Sequence, residues 1–371
     1  MKKKTALALA LSLTLGLLTG CGGRAPNKPG DLLKGENAAV FAGGDGTEEH
    51  PYVITTPEGL SAVRDNLSAH YRLNADIDLS GAEWTPIGAF TPEDESEPIW
   101  EIPVKEDAFT GVFDGGSHTV SNLLIHESGD TAVGLFGCVR DAHIYNLTVD
   151  GASVDGNQWV GAVVGYAYNS RLTAVSLTGA NTVEGHQNAG VSENVGGVIG
   201  GAMNSLIDSC SAKANVVVDD QCVRAGILSG GLEMTPVING YATGTLKAKN
   251  DCQGIGAIAG GCRAPGEITN CRVENVLITT GTYGSFVGGL VGGIGVTDGT
   301  GETVVTVFSR CAAESVEIRT GEKSAVAGGL VGGEFNAVTE DDAPDNFTFT
   351  NCTLSGVTVN GEKAAMAGSG L

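Results

Sequence analysis

A short glycine-rich motif recurs along most of this 371-residue chain. Its full form is an apolar residue, a glycine, a further residue that is usually small, two apolar residues and a second glycine, as in VGAVVG, VGGVIG and VGGLVG. The leading glycines lie 27, 35, 30, 30, 32, 40 and 40 residues apart: Gly134, Gly161, Gly196, Gly226, Gly256, Gly288, Gly328 and Gly368. A lone nucleotide-binding loop would not recur in this way, so the motif indicates a stacked repeat architecture.

Each repeat carries two further apolar patterns. One reads apolar-x-x-apolar and occurs as Ile144…Leu147, Ile207…Cys210, Ile238…Tyr241, Ile268…Cys271, Phe308…Cys311 and Phe349…Cys352. The other follows as Val276/Ile278, Val316/Ile318 and Val357/Val359. Short runs of period-two alternation indicate strands. We therefore predict an all-β parallel β-helix with three short strands per coil, its coils stacked about 4.8 Å apart.

The glycine motif itself predicts a bend. In VGGLVG, the apolar residues Val287 and Leu290 are three apart, which breaks strict alternation. A bend or bulge must therefore lie among the glycines. We expect glycine there because it tolerates the positive φ that such a corner requires.

A short helix is predicted ahead of the repeats. Thr56 is a good helix cap and Pro57 suits the first turn. Leu60, Val63 and Leu67 then form one apolar stripe. We expect this helix to cover the open first coil, whose edge would otherwise pair with other chains.

The repeats resemble the GLUG motif of bacterial surface proteins, which is found beside immunoglobulin A peptidases and filamentous haemagglutinin-like adhesins. The segment HPYVITTPEGLSAVRDNLSAHYRLNADIDLSG, followed by EWTPIG and FTGVFDGGSHTVSNLLI, resembles the start of such β-helices. The resemblance covers about residues 46–371. It implies a right-handed, pectin-lyase-like β-helix at the cell surface, and it implies no single activity.

The N-terminus is that of an exported protein. MKKK precedes the apolar run ALALALSLTLGLL, which is too short to span a bilayer comfortably. The sequence Leu18-Thr19-Gly20-Cys21 resembles a bacterial lipobox, which implies cleavage before Cys21 and its lipidation; the alternative is an ordinary secretory signal. We predict a signal peptide at 1–20, a lipidated tether at 21–46, the N-terminal cap and first coils at 47–132, and GLUG repeats at 133–371, incomplete at the C-terminus.

Six of the eight cysteines after Cys21 fall into two groups. Cys210, Cys271, Cys311 and Cys352 are predicted to share one column with Leu147, Val175 and Tyr241, and to act there as small buried hydrophobes. Cys222 and Cys252 each precede a leading glycine by four residues. Adjacent coils would bring their Cα atoms within disulfide range, so a bridge is predicted in an oxidising compartment.

Motifs of known chemistry are few. The net charge of −22 excludes nucleic acid as a partner. GxxxxGK[ST], HExxH and GxSxG do not occur, the six histidines are scattered, and no cofactor is predicted. A carbohydrate-active β-helix would need stacked carboxylates. In the apolar-x-x-apolar strands only Asp208 is acidic, beside Tyr145, Thr173, Asn239, Thr269, Ser309 and Thr350.

Acidic side chains gather instead in the long excursions of the last two repeats, as Asp298, Glu302, Glu340, Asp341, Asp342 and Asp345. Insertions at equivalent points of neighbouring coils emerge side by side. This edge would suit a cationic partner or a weak Ca²⁺ site; the alternative is a pair of solvated loops. The sequence thus favours a non-enzymatic, lipid-anchored surface module that binds a glycan or a host or cell-surface protein, with a β-helix polysaccharide lyase or glycoside hydrolase as the alternative.

Overall fold

The computed structural model describes residues 40–91, 103, 105–126, 131–186, 194–264, 267–295, 304–324, 326–335 and 347–370. Within these ranges the chain forms one helix, α1 (Pro57–Ser61), continued by a 3₁₀ helix (Ala62–Asp65), and otherwise strands and corners. The strands that precede the first glycine motif are β1 (Tyr52–Ile54), β2 (His70–Leu73), β3 (Ile77–Asp78), β4 (Val112–Asp114), β5 (Thr119–Ser121) and β6 (Leu124–His126).

The repeats supply the remaining strands. The first three coils contain β7 (Ala132–Val133), β8 (Phe136–Arg140), β9 (His143–Asp150), β10 (Ser153–Gly156), β11 (Trp159–Gly161), β12 (Val164–Tyr168), β13 (Arg171–Gly185), β14 (Asn194–Gly196), β15 (Ile199–Met203), β16 (Leu206–Asp208) and β17 (Ser211–Val218). The next two contain β18 (Arg224–Gly226), β19 (Ser229–Glu233), β20 (Val237–Ile238), β21 (Tyr241–Ala248), β22 (Gly254–Gly256), β23 (Ala259–Arg263), β24 (Glu267–Thr269) and β25 (Arg272–Thr279). The last contain β26 (Phe286–Gly288), β27 (Val291–Gly295), β28 (Thr306–Ser309), β29 (Ala312–Arg319), β30 (Val326–Gly328), β31 (Val331–Phe335), β32 (Phe347–Thr350), β33 (Thr353–Ser355), β34 (Thr358–Val359), β35 (Glu362–Lys363) and β36 (Ser369–Gly370).

The coils stack in register as a parallel β-helix, which confirms the predicted fold. The strand before each bend pairs in parallel with its counterpart in the next coil. One column illustrates this, running through the buried residues Val133, Val160, Val195, Ala225, Ile255 and Val287 to the partly buried Ala327. The strand after each bend forms a second parallel sheet, and the remaining strands form a third, larger one. Apolar side chains from all three sheets fill one continuous core.

The third to sixth coils each have four strands rather than the three predicted. The apolar-x-x-apolar pattern is interrupted by a residue in the left-handed conformation, with φ between 53° and 56°, at Asn146, Ala174, Ser209, Asn239, Asn270, Arg310 and Asn351. This residue turns the chain between β16 and β17 and between their counterparts in the later coils, while in the first two coils it lies within the continuous strands β9 and β13. Asparagine tolerates positive φ better than most residues, which accounts for its frequency in this column.

The expected positive φ at the glycine motif is wrong. The leading glycines of the described motifs are absent from the residues with positive φ. Both glycines of the motif are needed because backbones approach too closely for a side chain; at the leading Gly288 an added Cβ would lie 1.9 Å from the carbonyl O of Val291. A Cβ atom at Gly292 would lie 2.1 Å from the backbone N of Ile255 and 2.5 Å from the carbonyl O of Gly260. A Cβ at Gly200 would lie 2.5 Å from the backbone N of Val160.

The two ends differ from the repeats. The predicted helix is confirmed, since the Thr56 side chain accepts a hydrogen bond from the Gly59 N–H over 3.2 Å. Leu60 and Val63 are fully buried in the core. At the other end, the run AGSGL was expected to begin a further repeat. Its strand β36 instead pairs antiparallel with β30.

Candidate functional site

The predicted cysteine column is present, but the prediction placed one residue of the fourth coil in the wrong register. Cys271, Cys311 and Cys352 stack with Cys210, and each thiol donates to a carbonyl of the preceding coil over 3.2–3.6 Å. The fourth coil contributes Gly240 instead of Tyr241, because the Gly240 carbonyl accepts from the Arg272 N–H in the place where the Cys271 carbonyl accepts from Ala312. Tyr241 lies one residue further on, in register with Ser211.

The same error affects the apolar column beside it. Val237, and not Ile238, pairs with Ile207 and Ile268. The outward neighbours of Asp208 and Thr269 therefore include Ile238 instead of Asn239. These outward positions belong to Tyr145, Thr173, Asp208, Ile238, Thr269, Ser309 and Thr350.

Asp208 takes part in a local polar network. Its Oδ1 accepts hydrogen bonds from Asn239 Nδ2 and Ser209 Oγ, both over 3.0 Å. Asn239 in turn accepts from Asn270 Nδ2 over 2.7 Å. The network ties exposed corner residues of three successive coils together and gives Asp208 a structural role.

The predicted disulfide partners lie in adjacent coils, since the Gln253 N–H donates to the Cys222 carbonyl over 2.9 Å. Both cysteines are buried, and both are thiols in the structure. Cys252 donates to the carbonyl of Asp219 over 3.2 Å. The bridge between them stays a prediction.

The remaining predicted site residues cannot be placed. Cys21 and the acidic residues Asp298, Glu302, Glu340, Asp341, Asp342 and Asp345 lie outside the described residues. Across the ranges that are described, no group of three His, Cys, Asp or Glu side chains is arranged to hold a metal ion. The Ca²⁺ site and the shared acidic edge therefore stay predictions.

The structure adds a polar patch that the sequence did not indicate, made of Trp159, Asn194, Arg224, Glu233 and Arg263. Trp159, Asn194 and Arg224 stack on successive coils, in the strands that precede the bend. Glu233 and Arg263 stack on the strands that follow it. All five are outward positions, because the apolar residue beside each belongs to the core. The patch thus lies along the outer side of the glycine bend.

Glycines form the floor of this patch. A Cβ atom at Gly201 would lie 3.1 Å from Trp159 Nε1, and one at Gly231 would lie 2.2 Å from Asn194 Oδ1. These two glycines are direct partners on neighbouring strands. Side chains from before the bend can therefore lie flat on the strand after it, where any larger residue would exclude them.

Three buried polar atoms of the patch have no hydrogen-bond partner. They are Trp159 Nε1, Asn194 Nδ2 and Glu233 Oε2. Their residues are 3%, 1% and 4% exposed. A buried polar atom without a partner costs about 1–3 kcal/mol, so native structures contain few of them and three in one patch require an explanation.

Charge is concentrated at the same place. Arg263 Nη1 lies 3.6 Å from Glu233 Oε1, leaving the other carboxylate oxygen without a partner. Burial raises the pKa of the Glu233 carboxyl, and the positive charges of Arg263 and Arg224 oppose that rise. The patch therefore offers two neutral N–H donors, one carboxylate acceptor and two cations.

Comparison with known proteins identifies the repeat. The family model described as the GLUG motif matches residues 191–217, which include β14, β15 and β16. The chain carries a GLUG motif. This match confirms the resemblance predicted from the glycine motif, and it covers the Asn194 part of the polar patch.

The chain is similar in sequence to parts of two larger proteins. Halomucin of Haloquadratum walsbyi is 40% identical over 185 residues, 48% of this chain. A protein of Evansella cellulosilytica, provisionally named a Gly-rich membrane protein, is 34% identical over 140 residues, 36% of this chain. The matched segments span 2% and 15% of those proteins, so the chain is similar to a small part of each.

Similar folds occur among solved structures. A Bacteroides ovatus structure provisionally named an immunoglobulin A1 protease is 17% identical, with a TM-score of 0.47, over 88% of this chain and 84% of that one. An IgA1 protease is 16% identical, with a TM-score of 0.44, over 84% of this chain and 21% of the other.

Within the described residues, no helix is both long and apolar enough to cross a membrane.

Proposed function

We propose that this chain is a lipid-anchored module of a bacterial cell surface that holds a binding surface away from the membrane and does no chemistry of its own. The observation that carries the proposal is the in-register stack of coils, from Val133 to Ala327 along one column. Such a stack is rigid and repeats its outward positions about every 4.8 Å. Extended surfaces of this kind are used for binding in other repeat proteins.

Two further observations support a surface location. The basic N-terminus, the short apolar run and Cys21 together have the form of a lipoprotein signal. The relatives include a protein whose name places it in a membrane. A lipid on the mature N-terminus would hold the β-helix at the outer side of the membrane, with residues 21–46 as the tether.

The anchor is tested by the Cys21→Ser substitution in the full chain, expressed in a bacterium. We expect the wild type to partition into detergent and to incorporate labelled fatty acid, and the variant to do neither. Cys352→Ser, a substitution distant in sequence, is the matched control. Unchanged detergent partitioning of Cys21→Ser would contradict the anchor.

The binding role is tested with glycan and host-protein arrays probed with the soluble β-helix. Reproducible, saturable binding to one class of ligand is expected. Turnover of any bound polysaccharide, seen as new reducing ends or unsaturated sugars, would favour the second candidate instead, a carbohydrate-active enzyme. The burial of Glu233 favours this second function, because a general acid requires a buried carboxyl with a raised pKa.

A further inference from the structure

The unpartnered atoms of the polar patch define the chemistry of what could bind there. Trp159 Nε1 and Asn194 Nδ2 are donors, while Glu233 Oε2 is an acceptor when ionised. A hydroxyl group accepts two hydrogen bonds and donates one, so it matches this combination of groups. An ammonium group could not accept from the indole or the amide.

The spacing of these groups indicates more than one hydroxyl. Trp159 and Asn194 are register partners on adjacent coils, about 4.8 Å apart. Glu233 lies two residues beyond Gly231, the residue on which Asn194 rests, and so on the same face about 7 Å along the strand. Because these backbone positions are spread over different strands and coils, a rigid ring with several hydroxyls suits them better than a single water molecule.

We propose that the polar patch at the glycine bend is a binding site for a sugar unit of a glycan, with Trp159, Asn194 and Glu233 as its hydrogen-bonding groups. Arg224 lies beside these groups, since its Nη1 donates to Asn194 Oδ1 over 3.5 Å and its Cδ would lie 3.1 Å from a Cβ at Gly231. This inference rests on the proposed binding function. It places that function on the second to fourth coils, whereas the acidic excursions belong to the last two repeats of the sequence.

The test observes the indole N–H resonances of the ¹⁵N-labelled protein during titration with methyl glycosides of glucose, mannose, galactose and N-acetylglucosamine. Trp159→Phe assigns the Trp159 resonance. Trp84 is an internal reference, because its Nε1 already donates to the Leu135 carbonyl over 3.0 Å. We expect a saturable shift of the Trp159 resonance with at least one sugar and none for Trp84. The absence of such a shift across the panel would overturn the inference and leave buried water alone in the patch.

Glu233→Gln keeps the shape of the side chain and removes the acceptor charge. We expect it to weaken the binding of that sugar about tenfold, as for the loss of one hydrogen bond to a charged group. Glu274→Gln, a carboxylate on β25, is the control and should bind as the wild type does. Thermal melts of both variants establish that they are folded.

Failure of this inference is separable from failure of the proposed function. Glycan binding on the array that is equally strong in Glu233→Gln would place the ligand elsewhere, overturning the patch assignment while the binding role stands. Binding of a host protein that is lost in Glu233→Gln would overturn the sugar assignment. No ligand on any array would count against both.

Discussion

The backbone N–H of Ser170 donates a hydrogen bond of 3.0 Å to the Oγ of Ser205, one coil further along the helix. In the same way, the N–H of Ala142 donates to Ser170 Oγ and the N–H of Ser205 donates to Thr235 Oγ1, each over 3.1 Å. Every hydroxyl of this ladder also donates to a carbonyl in its own coil. The ladder satisfies buried backbone groups at a corner, where the parallel sheets do not reach them.

Ser205→Ala should therefore destabilise the fold by about 1–3 kcal/mol, since it leaves the buried N–H of Ser170 without a partner. Ser205→Thr keeps the hydroxyl and should cost less. Urea unfolding measures the change, with Ser355→Ala at an exposed position as the control. Equal midpoints for Ser205→Ala and Ser355→Ala would contradict a stabilising role for the ladder.

Gly292→Ala and Gly292→Val should both destabilise the fold by about 3 kcal/mol or more, because the first added carbon already overlaps the backbone of Ile255. The informative control is Gly361→Ala. Gly361 has a φ of 83° and no neighbour within 4 Å of an added Cβ, so it tests conformational strain without crowding. A Gly292→Ala variant no less stable than Gly361→Ala would show that crowding does not explain the motif.

Thiol reactivity should separate Cys352 from the other cysteines. Among the described residues it is the cysteine with partial exposure, while burial raises the pKa of Cys252 to about 11 and of Cys262 to about 12. In protein that begins after Cys21, a disulfide reagent at pH 8 should label one thiol rapidly, and none in Cys352→Ser.

The same assay tests the predicted disulfide. After unfolding without reductant, eight thiols should react if Cys222 and Cys252 are unpaired with each other, and about six if the bridge has formed. Protein isolated from the cell envelope is the appropriate sample, since the bridge is expected only in an oxidising compartment.

His126 should titrate above the ordinary range. Its Nδ1 lies 2.7 Å from Asp155 Oδ2, and this hydrogen bond raises the pKa of the imidazole. The resulting stabilisation is full below the unfolded pKa of about 6.5 and is lost as the pH rises through the folded value. NMR titration should show Asp155→Asn lowering the pKa of His126. The pKa of His143, which burial lowers, should not change.

The sequence predicted the period of the repeat well because every coil must place a glycine where two backbones meet. It predicted the register of the fourth coil poorly because Tyr241 was taken as the apolar member of the pattern. The left-handed residue Asn239 is the better marker, since its φ of 56° fixes where the strand ends. Read from Asn239, the core position is Gly240, where a Cβ would lie 3.2 Å from Cys271 Sγ.

The polar patch could not be found in the same way. Its members are isolated in the sequence, and none belongs to a known catalytic or ligand-binding motif. They meet because the chain folds back at the bend and lays the side chain of Asn194 on Gly231. That contact depends on the angle between two strands, which hydrophobic periodicity does not encode. Buried donors without partners become visible only once the side chains are in place.

Because the coils stack in register, the length of the molecule depends on the number of coils. Val195 and Ala225 are 30 residues apart and Val287 and Ala327 are 40 apart, yet each pair are direct neighbours on adjacent strands. Every coil advances the axis by one strand spacing, about 4.8 Å, whatever the number of residues in its corners. The length of the molecule therefore changes only in steps of one whole coil. A loop can grow or shrink at a corner without altering the reach of the helix, whereas a duplicated coil extends that reach by one fixed step.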